Sequence, residues 1–443
     1  MNPTTALILC IGFIIIIFWI DHKKSPNMSI NLWIVLVWMM VIGSRNVSYW
    51  FDLGGADNVM DGSPFDRIIF LAFNIAGIMI LINRKIIFSE VIYKNVAISI
   101  FFLYAANSIL WSDIPFVAMK RFIKAIGNPV MALVVLSEPD PVEAIKTILR
   151  RCAYALIPLS IICIKYYPHT GRHYHVSGDV MYSGVTGQKN ELGLICTIFC
   201  IIFVWCLINI RERKDGNSTF MEYFVPTIYL SMNLWLLYVS DSATSWMCTL
   251  TGLAILIGTR FQIMKNHPKY INIFIIIGIV FIFISEYIFE ISKTIISSLG
   301  RDSTLTTRVP MWDFLIGFNT DFLFGTGYDS FWTLNRIRLA DETFRTHSAH
   351  NGYLDIYLNL GIIGFVFFTA VILATYRDIN AYLEEKFDFS VFRLTILVTI
   401  LLYSCTEAYL SGLNLLYFLF FLVSIKCPTT YDMELSEAVV QRD

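Results

Sequence analysis

Long apolar runs separated by short polar stretches set the pattern of this chain. They fall at about 4–20, 30–44, 68–83, 95–111, 124–137, 152–167, 189–210, 222–239, 246–261, 271–287, 351–376, 391–405 and 412–426. A helix that crosses a bilayer needs about 20 mostly apolar residues, and these blocks of Ile, Leu and Phe approach that length. They do not alternate as the strands of a β-barrel would. The pattern predicts an all-α, polytopic helical integral membrane protein with about 13 transmembrane helices, or 12–14 given the short runs. One membrane domain over 1–443 is expected, with a tail at 427–443. The run at 124–137 is interrupted by Gly127, Asn128 and Pro129. The first run has no basic segment before it and no small-residue cleavage site, so it reads as a retained helix and not a signal peptide.

Basic residues in short loops set the orientation. The stretches 21–24, 83–85, 146–151, 211–214, 260–269 and the loop with Arg377 and Lys386 fall on one side, which is expected to be cytoplasmic. The outward side then holds 45–67, 111–123, 168–188, 239–245, 288–350 and 406–411. These outer segments still carry cations, among them Arg45, Arg67, Lys120, Arg121, Lys124, Arg172 and Lys189, and Lys293, Arg301, Arg308, Arg336, Arg338 and Arg345 in the longest. Long loops cross despite their charge, so the assignment holds and the outer cations become candidates for function.

Composition supports the membrane reading. The chain is 56% hydrophobic and 15% charged, against about 25% charged in soluble domains. A formal net charge of −1 excludes gross steering towards nucleic acid. Eight of the nine cysteines sit in or beside apolar runs and Cys427 ends the last one, with no CxxC, which argues against disulfides and thiolate metal sites.

The candidate chemistry concentrates in the loop 288–350. Its length alone marks it as functional. "TTRVPMWDFLIGF" places Pro310 near the first turn of a short helix. "FGTGYDSFW" reads as a glycine turn followed by aromatics. The loop ends in "RTHSAHNGYLDIYLNLGIIG", where two histidines precede an apolar run. Ser348 is the expected N-cap of a helix starting near Ala349, with His350 in its first turn. There the positive helix end would keep the imidazole neutral, as a general base must be. Arg308 and Arg345 brought to the same helix end would form an anion site. Singly, each feature has a plainer reading. An interfacial histidine is common, outer arginines snorkel to headgroups, and Trp312, Phe331 and Trp332 suit an aromatic belt. His347 is expected to face the loop.

Three further polar stretches stand out. His169, His173 and His175 match no zinc spacing well, so no metal site and no cofactor is expected. "GQKNELG" puts Lys189, Asn190 and Glu191 at the start of a membrane segment, where ionisable groups are functional candidates by default. "SDSATSW" at 240–246 is a polar hairpin whose hydroxyls can pack helices.

Taken in order, "TGQKNELG", "SDSATSW", "LTTRVPMWDFLIG", "GTGYDSFW" and "HSAHNGYLDIYLNLGIIG" resemble the O-antigen ligase and Wzy polymerase superfamily, including its ExoQ-like exopolysaccharide members. The resemblance covers roughly 165–375. It implies a glycosyltransferase-C type membrane fold in the bacterial inner membrane, with its active site facing the periplasm. It also implies substrates carried on undecaprenyl pyrophosphate in the lipid bilayer, and a chain-length regulator as a further partner of a polymerase. By the same resemblance His350 is the catalytic base and Arg308 a pyrophosphate ligand. Arg345, Arg172, Lys189, Asn351, Tyr353 and Trp312 are further substrate contacts. Many relatives carry a basic residue in the serine hairpin. Here Ala243 and Thr244 stand instead, which leaves Arg172 or Lys189 to replace it. A polymerase joining repeat units is the favoured activity. The alternatives are a ligase that passes the glycan to lipid A-core and, from another class, a lipid or polysaccharide transporter.

Overall fold

A computed structural model describes residues 1–24, 29–53, 62–174, 180–212, 220–278, 304–318 and 320–427. The protein is an all-α, multi-pass membrane protein. The sheet found among these residues is one small hairpin pairing Arg172–Tyr174 with Val180–Tyr182, antiparallel.

Six described helices are long and apolar enough to cross a bilayer: Pro3–Lys23, Pro64–Asn83, Pro141–Tyr166, Lys189–Glu212, Gly352–Ala381 and Phe387–Ser404. A seventh candidate, Phe88–Lys94 followed by Val96–Trp111, is bent by 102°. The expected count of thirteen is therefore not confirmed. Several apolar runs form helices shorter than a full crossing, namely Leu32–Ile42, Ala243–Gly258 and Leu415–Ser424. A ten-residue helix such as Gly127–Leu136 reaches about 15 Å, half the hydrocarbon thickness. The end of the expected helix at 271–287 and the first part of the loop 288–350 lie outside the described residues. So do Lys293, Arg301 and nearly all of the tail 427–443.

Burial sorts the helices. Leu415–Ser424 is buried at every position, and Phe387–Ser404 and Lys189–Glu212 are buried over most of their length. Trp205 stacks on Phe392 at 4.0 Å between them. Pro3–Lys24 keeps a broad apolar surface exposed, including Ile8, Leu9, Ile15, Ile16 and Trp19, as a lipid-facing helix does.

Loops grouped by sequence on one face meet each other. Asp21 bridges to Arg150 and Arg151 at 2.7 Å, Arg84 pairs with Glu138, and Arg260 pairs with Glu212 and Asp388. Among the segments expected on the other side, Arg45 donates from Nε to the Thr186 carbonyl at 2.9 Å, joining segments 45–67 and 168–188.

The helix Gly352–Ala381 is in fact two helices broken at Gly361, whose φ is +64° and ψ −169°. The break has a cause. The turn at 321–327 pushes into it, and its carbonyls at Phe322 and Leu323 accept from Ile362 and Ile363 at 3.0 and 3.3 Å. In return Thr326 donates from its N–H to the Leu358 carbonyl. A side chain at 361 would place its Cβ 2.2 Å from the Leu323 oxygen. Backbone groups freed by the break are thus satisfied inside the protein, as a membrane environment requires. The "FGTGYDSFW" turn is real, with φ of +66° and +91° at Gly325 and Gly327, and it is sewn onto this helix.

Two local expectations are corrected. Pro310 lies well inside the helix Thr304–Ile316, because the preceding threonines continue the helix upstream instead of ending as loop. Phe331 is fully buried, packed with Met311, Leu315 and Leu358 in a small core between the loop 288–350 and the helix Gly352–Ala381, so it belongs to no interfacial belt.

Candidate active site

Four separate segments build one polar cluster. The helix Gly352–Ala381 begins at Gly352, capped by Asn351, whose side chain accepts from the N–H groups of Tyr353 and Leu354. This corrects the expectation that Ser348 caps the helix near Ala349. Asn caps at least as well as Ser, and Ser348 is used elsewhere, accepting from the His350 N–H at 3.2 Å. His350 therefore lies before the first turn, in a left-handed conformation with φ +46°. Such a conformation is uncommon for a residue with a side chain, and histidine is among those that tolerate it.

The helix start at Gly352 packs closely on Ser404 and Leu410. That contact brings His350 to the hairpin after the helix Phe387–Ser404. There Nδ1 of His350 lies 3.1 Å from Oε2 of Glu407. The Glu407 side chain is 4% exposed. Its other oxygen accepts from Nδ2 of Asn190 at 2.8 Å and faces Nη2 of Arg308 at 3.5 Å. A buried carboxylate is costly without such partners, and here an amide, a guanidinium and an imidazole surround it. Arg308 also donates from Nη1 to the Thr406 carbonyl at 2.7 Å.

The hydroxyl hairpin 240–246 completes the wall. Thr244 and Thr406 share a hydrogen bond at 2.9 Å, and Ser245 bonds the Tyr403 hydroxyl at 2.9 Å. That hydroxyl bonds in turn to the Asn190 carbonyl. Ser242 caps the helix Ala243–Gly258.

The remaining expected residues divide by role. Trp312 donates from Nε1 to the Ala349 carbonyl at 2.9 Å, fixing the turn that carries His350. Tyr353 reaches the Leu401 carbonyl at 2.9 Å and ties the same turn to the helix Phe387–Ser404. Asn351 is spent on its cap. Lys189 meets Asp241 of the hydroxyl hairpin at 3.5 Å, so it is the cation brought to that hairpin. Arg172 instead donates to the Ile164 carbonyl at 2.8 Å. Arg345 is exposed and ends the helix Leu334–Phe344 in a left-handed turn; its side chain is not brought to Glu407. His347 faces Asp341 at 3.6 Å in the loop.

His173 Nε2 sits 2.8 Å from Nη2 of Arg45, and His169 is exposed. Burial and then the Arg45 cation push the His173 imidazole below its ordinary value. His175 lies outside the described residues. Among the described residues no group of three or more His, Cys, Asp or Glu is placed to hold a metal ion.

Glu407 is the residue that sequence reading misses. Its signal is slight but present: it is an acid in the hairpin 406–411, between two apolar runs, where ionisable groups are rare. Chemically the cluster offers an imidazole held by a carboxylate. A carboxylate only accepts, so the Nδ1 proton points at Glu407 and the Nε2 lone pair is left free.

Residues 228–369 match the O-antigen ligase family. That stretch includes Arg308, Trp312 and His350 and leaves out Asn190 and Glu407. Over 307 residues the chain is 24% identical to the exopolysaccharide production protein ExoQ of Rhizobium meliloti (strain 1021), covering 65% of this chain and 66% of that protein. The chain thus spans just under two thirds of that relative's length.

Proposed function

The chain belongs to the O-antigen ligase and Wzy-like superfamily, and from that premise we propose that it is a polysaccharide polymerase. It joins oligosaccharide repeat units carried on undecaprenyl pyrophosphate, at the periplasmic face of the bacterial inner membrane. The observation that supports this most is the His350–Glu407–Arg308 cluster: one free imidazole nitrogen beside a guanidinium, at the start of a membrane helix.

The acceptor hydroxyl attacks the anomeric carbon of the donor sugar. The bond from that carbon to the pyrophosphate oxygen breaks, and its electron pair leaves on undecaprenyl pyrophosphate. Nε2 of His350 takes the hydroxyl proton, a contribution of typically ~10²–10⁴-fold. Glu407 holds the ring and stabilises the imidazolium, as the carboxylate of a triad does. Arg308 faces the departing pyrophosphate with a planar fork suited to phosphate oxygens. Attack opposite the leaving group inverts the anomeric centre.

The match to the O-antigen ligase family favours a second reading, transfer of a finished glycan to lipid A-core. The two differ in what accumulates when the gene is removed. A deletion strain of a polymerase displays single repeat units and lacks long chains. Long chains that persist on undecaprenyl pyrophosphate, unattached to a final acceptor, would identify a ligase. Lipid-linked glycans trapped on the cytoplasmic side would instead support the transporter reading.

A further inference from the structure

A cavity of about 770 Å³ lies next to the His350 cluster and is not part of it. Among its lining residues are Arg45, Tyr49, His173, Glu191 and Tyr409. These come from segments that sequence reading places on one face. The volume lies in the ~300–1,000 Å³ range of small-molecule sites.

The cavity and the cluster share a wall. Glu191 directly follows Asn190, whose amide holds Glu407. Tyr409 stands two residues beyond Glu407. Consecutive Cα atoms are about 3.8 Å apart, so the cavity wall comes within about 8 Å of the Glu407 backbone.

Its chemistry does not suit a pyrophosphate. The Arg45 guanidinium is already committed to the Thr186 and Thr170 carbonyls at 2.9 and 2.7 Å and to His173, and it lies over the Tyr49 ring at 4.3 Å. Two carboxylates, Asp52 and Glu191, also line the space. An anion would meet two negative groups for one occupied cation. A neutral polyhydroxyl ligand fits better. The Glu191 carboxylate can accept sugar hydroxyls beyond its bond to the Gly187 N–H at 2.8 Å. The Tyr49 ring is half exposed and presents an apolar face. The Tyr409 side chain is more than nine-tenths buried, and its hydroxyl, beside the Gln188 amide, makes no hydrogen bond of normal geometry. A buried hydroxyl without a well-formed partner is rare, and this one belongs to a residue of the cavity wall.

We propose that this cavity binds the acceptor glycan, holding its sugars so that the reacting hydroxyl reaches His350. The proposal rests on the glycosyl-transfer reading above and names the second substrate's site within it.

The test uses purified full-length protein carrying His350→Ala, in detergent, so that binding is read without turnover. The probe is the host strain's own repeat-unit oligosaccharide, released from its lipid carrier by mild acid and titrated by saturation-transfer NMR. Undecaprenyl pyrophosphate is titrated in parallel. Adding Tyr409→Phe should weaken the oligosaccharide about two- to tenfold, the size of one neutral hydrogen bond. Adding Tyr49→Ala should weaken it about tenfold or more, as loss of an aromatic anchor does. Undecaprenyl pyrophosphate binding should not change in either. Tyr409→Phe removes one oxygen and keeps the test valid if Tyr49→Ala fails to fold. Equal oligosaccharide affinity in all folded variants, or no binding at all, overturns the proposal. Loss of undecaprenyl pyrophosphate binding instead would assign the cavity to the donor and also overturn it. Failure of the underlying reading shows separately, as normal polymer from a His350→Ala strain.

Discussion

Nδ1 of His350 and Oε2 of Glu407 lie 3.1 Å apart, although 57 residues separate them in the chain. The carboxylate is the charged group that faces the imidazole, a role the sequence alone assigns to the positive end of a helix. The two placements differ in what they predict. A helix end would only keep the ring neutral, whereas Glu407 orients the ring and stabilises it after proton uptake.

Glu407→Gln tests this pairing. The amide keeps the size of the side chain and loses its charge. Product formation should fall on the order of 10²-fold or more, and His350→Ala should fall by ~10²–10⁴-fold. The double variant should be no worse than His350→Ala alone, because the two act as a unit. Polymer length and yield in a complemented deletion strain, at matched membrane expression, give the readout. Additive losses would separate Glu407 from the histidine.

Arg308→Lys keeps the charge and loses the fork. Arg308 makes one contact to the Thr406 carbonyl and one to Glu407, and its planar group has nitrogens left to meet phosphate oxygens. Lysine cannot hold both protein contacts and a bidentate anion. Activity should drop at least about tenfold, a loss of one charge-assisted bond. Wild-type turnover in the lysine variant would reduce Arg308 to a structural cation.

How much of this was legible in the sequence depends on the range of each contact. Apolar runs are local, and twelve of the thirteen coincide with helices among the described residues, with the run at 271–287 described only in part. Their lengths as crossings were not legible, because short buried helices such as Leu415–Ser424 and a bend such as that at Asn95 depend on tertiary partners. Asn95 shows why: its side chain pairs with both backbone groups of Lys426, a contact across the chain that no local pattern reveals. The same limit applies to the site. His350, Arg308 and Asn190 stand in motifs, whereas Glu407 joins them only through packing of the hairpin after Phe387–Ser404. Lys189 was legible as a candidate, and its contact with Asp241 was not.

Gly361→Ala should destabilise the protein. At φ +64° and ψ −169° the backbone is in a region that is essentially glycine-only, costing about 1–3 kcal/mol for other residues. The added Cβ would also collide with the Leu323 carbonyl. Because that carbonyl belongs to the turn sewn onto the helix, the loop and the kink should loosen together. Thermal unfolding followed by tryptophan fluorescence should show a lower midpoint and a shift in the Trp332 environment, since its Nε1 bonds Asp355 of the same helix. An unchanged midpoint would mean that the break relaxes without cost.

Chelation should leave activity intact. The charge on the leaving group has Arg308 to meet it, and His173 is already engaged by Arg45. Purified protein incubated with EDTA should turn over lipid-linked substrate at its untreated rate. Loss on chelation that a single divalent ion restores would bring His169 and His175 into the mechanism.

His173 should make the outer face sensitive to acid. Its Nε2 lies against a guanidinium nitrogen, so it must accept, which only the neutral ring can do. Burial, and then the Arg45 charge, hold its pKa below the ordinary value near 6.5. The folded protein therefore binds fewer protons at this site than the unfolded chain once the pH falls below about 6.5. The stability this site contributes is full above that pH and is lost as the pH falls further, opposite to the behaviour of a histidine paired with a carboxylate. His173→Gln separates this from other acid effects, because its amide oxygen can still accept from Arg45 and does not titrate. The unfolding midpoint of the wild type should fall between about pH 7.5 and pH 5.5, and that of the variant should fall less, since the variant removes the group whose pKa is lowered on folding. Identical pH slopes in the two proteins would show that the Arg45–His173 contact yields on protonation and carries no linkage.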